Sequence, residues 1–117
     1  MTALADQNLQ ACNKNSSPIS DEDMGNYLKN LSGWDLIVDE NIKQISKVYN
    51  FNDFLSAHSF SGDITSLAEA ENHHPRICIE WGKVRVSWWT HVVSGLFVND
   101  FIMAARCDQA YKKLSSE

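Results

Sequence analysis

Nothing in this sequence would carry the chain through a bilayer, staple it, or bind it to a nucleic acid. No apolar run approaches the ~20 residues that a spanning helix needs. The start, MTALADQNLQ, lacks the positive end and apolar stretch of a secretory signal. Three cysteines, Cys12, Cys78 and Cys107, are widely spaced and odd in number, which excludes a paired disulfide framework. No C-x-x-C pair is present, so a structural zinc knuckle is not expected. Basic residues are in the minority, with 10 Lys+Arg against 15 Asp+Glu and a formal net charge of −5. No basic stripe exists that could neutralise phosphates, and direct nucleic-acid binding is excluded on that ground. There is no internal repeat. The expectation left by these absences is a cytoplasmic protein with no membrane attachment.

What is present suits one globular unit. The 117 residues are 44% hydrophobic and 21% charged, enough for a core and a solvated surface. Residues 1–18 are polar and without period, and read as a flexible N-terminal tail; residues 19–117 read as a single domain. Ser20 opens a helix, with Asp23 in capping-box spacing, and Met24, Tyr27, Leu28 and Leu31 recur at helical intervals up to Gly33. From Trp34 the period shortens: residues 34–38 and 42–49 read as two strands around a turn at Asp39-Glu40-Asn41. The second has no cleanly polar face.

Residues 51–71 return to helical spacing, with Phe54, Ala57, Phe60, Ile64, Leu67 and Ala68 on one stripe, and Gly62 available for close approach to the sheet. Pro75 ends that segment and holds His74 extended. Residues 76–81 and 83–92 read as a hairpin turning at Gly82-Lys83. Val84, Val86, Trp88 and Thr90 share one face, and Arg85, Ser87, Trp89 and His91 the other. The last helix runs from about Asn99 to Leu114, with Phe101, Ile102, Ala105 and Ala110 available for packing. The expected architecture is α+β: a four-stranded antiparallel sheet with three helices on one face, in the order α-β-β-α-β-β-α. Its uncovered face, its edge strands and four tryptophans point to a homodimer or homotetramer.

Three of the four histidines, His73, His74 and His91, flank this second hairpin. Imidazole gives and takes protons near neutrality, with an unperturbed pKa of ~6.5. Neighbours in an extended segment point apart, so His73 and His74 are not expected to share one task. Plain readings stand beside this: His73-His74 as a loop pair, His91 as a sheet histidine, His58 as structural, the tryptophans as core or interface, and Cys78 as a buried strand residue. Asp100 reads equally well as a carboxylate placed to favour the start of the last helix.

The segment Glu69-Ala70-Glu71-Asn72-His73-His74-Pro75, followed at fixed distances by Trp81, His91 and Asp100, resembles the pterin-4a-carbinolamine dehydratases. The likeness spans most of residues 20–115, including Trp34 and Gly95-Leu96. Through Trp88-Trp89 and residues 99–106 it is nearest the bacterial branch associated with phenylalanine hydroxylase. Mammalian members of the family also act as dimerisation cofactors of a transcription factor. The resemblance implies elimination of water from a 4a-hydroxytetrahydropterin to give the quinonoid dihydropterin, with no metal or other cofactor. It implies catalysis by His73, His74 and His91, with His73 and His91 flanking the 4a oxygen and His74 handling the second proton. It implies substrate contacts from Glu69, Asn72, Pro75, Trp89, Thr90, Val92 and Asp100. It also implies a functional link to phenylalanine hydroxylase.

Departures from the family pattern are Ala70 and Asn72, where many relatives carry Lys and Asp, so Asn72 supplies hydrogen bonds but no charge. Phe97 replaces the hydroxyl residue usual before the last helix, which predicts an N-cap weaker by about 1 kcal/mol unless another group compensates. Two readings from other classes remain at this point. One is a metal site on His73, His74 and His91 with Cys78 or Glu69, and the other is a non-catalytic interaction module.

Overall fold

The computed structural model describes residues 3–115. Helix α1 (Asp21–Lys29) starts where the capping signal sits: the Ser20 side chain accepts from the Asp23 backbone N–H at 3.1 Å. Asp21, Glu22 and Asp23 crowd its first turn, where carboxylates favour the helix dipole. Removing the cap with Ser20→Ala is expected to cost about 1 kcal/mol, read as a lower urea midpoint with an unchanged slope.

Strands β1 (Asp35–Asp39) and β2 (Ile42–Asn50) form a hairpin closed by Glu40 and Asn41. Both turn residues have positive φ, +51° and +67°, the backbone of a tight turn matched to the right-handed strand twist. Helix α2 (Phe54–Glu71) is capped by Asp53, whose carboxylate accepts from Ser56 N–H at 2.6 Å; that bond holds the Asp53 carboxyl below its ordinary range. Strands β3 (Arg76–Glu80) and β4 (Lys83–Trp88) follow, then helix α3 (Val98–Ser115). The sheet is antiparallel throughout, in the order β1-β2-β4-β3. The element order is the expected α-β-β-α-β-β-α.

One sheet face carries Ile45, Tyr49, Val84, Val86 and Trp88, all buried, and the helices pack on it. Tyr49 meets Phe60 of α2 at 4.8 Å and Tyr111 of α3 at 4.9 Å, while Tyr27 of α1 stacks on Phe101 of α3 at 5.0 Å. The mixed pattern of β2 has two causes. Lys47 lies on the packed face, yet its Nζ reaches Ser32 O at 3.0 Å and Asp108 at 2.8 Å. Asp108 also accepts from Trp34 Nε1 and from Tyr49 Oη at 2.6 Å, and burial pushes the Tyr49 phenol well above its usual range. On the far face, Ser46 accepts from Ser87 Oγ at 3.0 Å and from Arg85 at 3.2 Å, so polar groups there are buried against one another.

Several local expectations are corrected. The second hairpin turns at Trp81-Gly82, because Lys83 already pairs with Glu80; Gly82 takes φ +75°, and a Cβ there would sit 3.2 Å from Phe51 O. Strand β4 ends at Trp88, not at residue 92. Thr90 and Gly95 bond to each other through both backbones, which folds residues 91–93 into a single 3-10 turn. His91 therefore sits on a loop. Cys78 is exposed, since its register with Arg85 places it on the face without helices. Gly62 makes no close approach to the sheet: a Cβ added there would meet nothing within 4 Å.

Part of the segment expected to be a flexible tail lies against the last helix. Residues 4–10 lie along α3, with Leu4 and Leu9 against the core and Arg106 donating to Ala5 O and Gln7 O. That cover accounts for α3 burying six residues in succession, Asn99 to Ala104, which a helix packed on one side only does not do. Among the described residues, no helix is long and apolar enough to cross a membrane.

Candidate active site

The end of α2 sets the geometry. Asn72 adopts φ +51°, a left-handed conformation that Asn tolerates better than most side chains. Its N–H bonds Glu69 O, while His73 N–H bonds Ala68 O at 3.1 Å: the paired bonds of a Schellman stop. The chain turns sharply and Pro75 leads it into β3, so His73 and His74 sit just outside the sheet.

His73 is held on two sides. Its ring stacks on Trp88 (centroids 5.4 Å, planes 19° apart), and its Nε2 lies 2.7 Å from Asp100 Oδ1. Asp100 is fully buried, and its other oxygen accepts from Thr90 Oγ1 at 2.7 Å and from Phe97 N–H at 2.9 Å. The carboxylate thus ties together the end of α2, the loop after β4 and the start of α3. The Phe97 contact answers the missing hydroxyl cap: Asp100, third in the helix, supplies the acidic half of a capping box. An ionised carboxylate only accepts, so a contact with that form requires the His73 proton on Nε2 and leaves Nδ1 for other partners.

His74 differs. Its Nε2 meets Glu69 Oε2 at 2.5 Å, and both side chains are more than half exposed. The His91 and Trp89 rings meet in an edge-type contact with centroids 5.1 Å apart, and Arg76 lies over that same indole at 5.0 Å. The two adjacent histidines are therefore anchored in different surroundings.

A cavity of about 410 Å³ collects these groups. His73, His74, His91, Asn72, Thr90 and Val92 line it, together with Glu71, Asn99, Leu9, Gln10 and Cys12. Of the other residues expected at the site, Asp100 and Glu69 stand behind His73 and His74, and Trp89 supports His91. Pro75 and Trp89 do not line the hollow. Glu71 and Asn99 are neighbours of residues already singled out. Leu9, Gln10 and Cys12 carry no periodic signal that could have marked them. Among the described residues, no three His, Cys, Asp or Glu side chains are grouped to hold a metal ion. Cys78, one candidate ligand, lies on the opposite sheet face from the His73–Trp88 stack.

Fold and cavity together define a small α+β protein with imidazoles grouped around one ligand-sized hollow. Residues 17–110 match the pterin 4 alpha carbinolamine dehydratase family, and the chain belongs to that family. A Marinobacter nauticus protein, provisionally named as a pterin-4-alpha-carbinolamine dehydratase, is 42% identical over 111 residues, spanning 95% of this chain and 100% of its own. A Vibrio vulnificus protein of the same provisional name is 46% identical over 100 residues, spanning 86% and 91%. The crystal structure of a transcriptional coactivator/pterin dehydratase from Brucella melitensis superposes with a TM-score of 0.73 at 25% identity, over 81% of this chain and 99% of that one. A pterin dehydratase-like protein described as a RuBisCO assembly factor in the alpha-carboxysome shares the fold at TM-score 0.56 and 18% identity, over 68% and 89%.

Proposed function

We propose that this protein is a 4a-hydroxytetrahydropterin dehydratase, a lyase that eliminates water from the 4a-carbinolamine to give quinonoid dihydropterin. The observation that carries the reading is the meeting of three imidazoles on one cavity, one of them fixed by a buried carboxylate. In the reaction an imidazolium protonates the 4a oxygen as the C4a–O bond breaks. A neutral imidazole removes the N5 proton, and the electrons of that N–H bond form the C4a=N5 double bond. Water and the quinonoid ring leave at the oxidation level of the carbinolamine, and both protons are accounted for. His73 and His91 flank the oxygen in this scheme and His74 carries the second proton. Asn72 and Thr90 offer polar contacts to the ring edge, and Val92 an apolar one. Such general acid–base catalysis contributes ~10²–10⁴-fold and draws on no metal or redox group.

In this reading the protein acts in the cytoplasm on the carbinolamine released by an aromatic amino-acid hydroxylase such as phenylalanine hydroxylase, regenerating the reduced pterin. It works as a homodimer or homotetramer. Support for self-association comes from edge strand β1, where Leu36 and Val38 are 41% and 62% exposed. The decisive measurement follows the absorbance of 4a-carbinolamine generated by phenylalanine hydroxylase. Decay accelerated in proportion to added protein supports the assignment; decay at the spontaneous rate overturns it. The coactivator description of the Brucella neighbour favours a second reading, a non-catalytic interaction module, for which that same spontaneous rate is the expected result.

Glu69 tests the finer roles. Its pair with His74 is exposed to solvent, and exposed pairs are worth about 0–1 kcal/mol. Glu69→Gln is therefore expected to lower kcat/KM by no more than about five-fold. A loss near a hundred-fold would place Glu69 against the substrate itself.

A further inference from the structure

The N-terminal segment does more than cover α3. Leu9, Gln10 and Cys12 form part of the cavity wall, although they lie outside residues 17–110 that match the family. Two side chains of α3, spaced seven residues apart and so on the same side of the helix, hold the segment. Asn99, only 6% exposed, uses both ends of its amide: Oδ1 accepts from Gln10 N–H at 2.7 Å and Nδ2 donates to Gln10 O at 2.8 Å. Arg106 donates from Nε to Ala5 O at 3.1 Å and from Nη2 to Gln7 O at 2.8 Å. A guanidinium bridging two backbone carbonyls fixes the path of the chain, not the identity of its side chains.

We propose that residues 4–12 are a strap that completes the ligand cavity, and that Asn99 and Arg106 are positioning residues that hold it there. The inference rests on the dehydratase reading for its ligand, a reduced pterin. The strap brings an apolar side chain, an amide and a thiol to the wall, and leaves proton transfer to the histidines. It contributes binding felt equally by substrate and transition state, which appears in KM and not in kcat.

The test is a double-mutant cycle between the strap and Arg106, which lies outside the cavity. Deleting residues 3–12 is expected to raise KM by about ten-fold with kcat changed less than about two-fold. The affinity for 7,8-dihydropterin, an unreactive ring analogue, should weaken by the same factor. Arg106→Ala in the full chain should move KM in the same direction, Arg106→Lys should restore part of it, and Arg106→Ala in the shortened chain should do nothing further. A KM unchanged by the deletion overturns the strap. An Arg106→Ala effect that persists without residues 3–12 overturns the positioning role, because it would then act through Glu71, 3.5 Å away on the cavity wall.

Cys12 gives a readout that needs neither catalysis nor a ligand. In a Cys78→Ser background, with Cys107 buried, Cys12 is the thiol that reports on strap docking. Its alkylation should quicken on Arg106→Ala, and an unchanged rate overturns the clamp even where the shortened chain fails to fold. Dehydratase failure is separable: a protein with no carbinolamine turnover whose dihydropterin affinity still falls on deletion loses the function and keeps the strap.

Discussion

Asp100→Ala is expected to lower stability by about 3–5 kcal/mol and to abolish measurable dehydration. The substitution strips three donors at once: His73 Nε2, Thr90 Oγ1 and Phe97 N–H. Each is left without its partner in an interior where Asp100 itself has no exposure. The informative companion is Asp100→Asn, which keeps shape and volume. The oxygen of its amide would remain with Thr90 and Phe97, which both donate, and the NH₂ would then face His73. That reverses the polarity of the His73 contact, so the ring must offer a lone pair at Nε2 and carry its proton on Nδ1. The imidazole keeps its place and loses its tautomer. We expect Asp100→Asn to retain most of the stability while kcat/KM falls by at least ~10²-fold, within the range that positioned acid–base groups supply. Urea unfolding and stopped-flow absorbance on the two variants read the two effects separately. Wild-type kcat/KM in Asp100→Asn would mean that the His73 tautomer does not matter.

Much of this arrangement is legible from local sequence because the signals are local. Ser20 and Asp23 mark the first helix, and Glu40-Asn41 closes the first hairpin, since capping and turn bonds join residues within a few positions of each other. What escapes depends on distant partners. Alternation alone carries strand β4 to residue 92, but the Thr90–Gly95 bridge competes with the sheet and wins. Cys78 alternates correctly for a strand, yet alternation does not say which face the helices cover. The strap is the largest case: its bonds to Asn99 and Arg106 span about ninety to a hundred residues of chain, and a polar segment without period gives no sign of them. Within the site, spacing alone does not bring His91 to His73; the likeness to a known family suggests it, and both side chains line the same cavity. The bonds of Asp100 to Thr90 and Phe97 are the part no pattern announces, and they explain how a helix opened by Phe97 is still capped.

The histidines themselves give the second large effect, and their different settings decide which variant is cleanest. His73→Ala should lower kcat/KM by ~10²–10⁴-fold, but it also removes the stack on Trp88 and the donor to a buried carboxylate, so part of the loss would be structural. His73→Gln keeps an amide donor within reach of Asp100 and is expected to lose the activity with less of the stability. His91 avoids the difficulty. It is exposed on the loop after β4, its ring contact is to the partly exposed Trp89, and surface changes of this kind usually stay within about 0.5 kcal/mol. His91→Ala should therefore unfold at nearly the wild-type urea midpoint and still fall ~10²-fold or more in kcat/KM. Residues that act as a unit are not additive, so His73→Gln combined with His91→Ala should be little worse than the more damaging single change. Near-normal kcat/KM in His73→Gln, His74→Ala and His91→Ala alike would remove the acid–base scheme, whatever the cavity looks like.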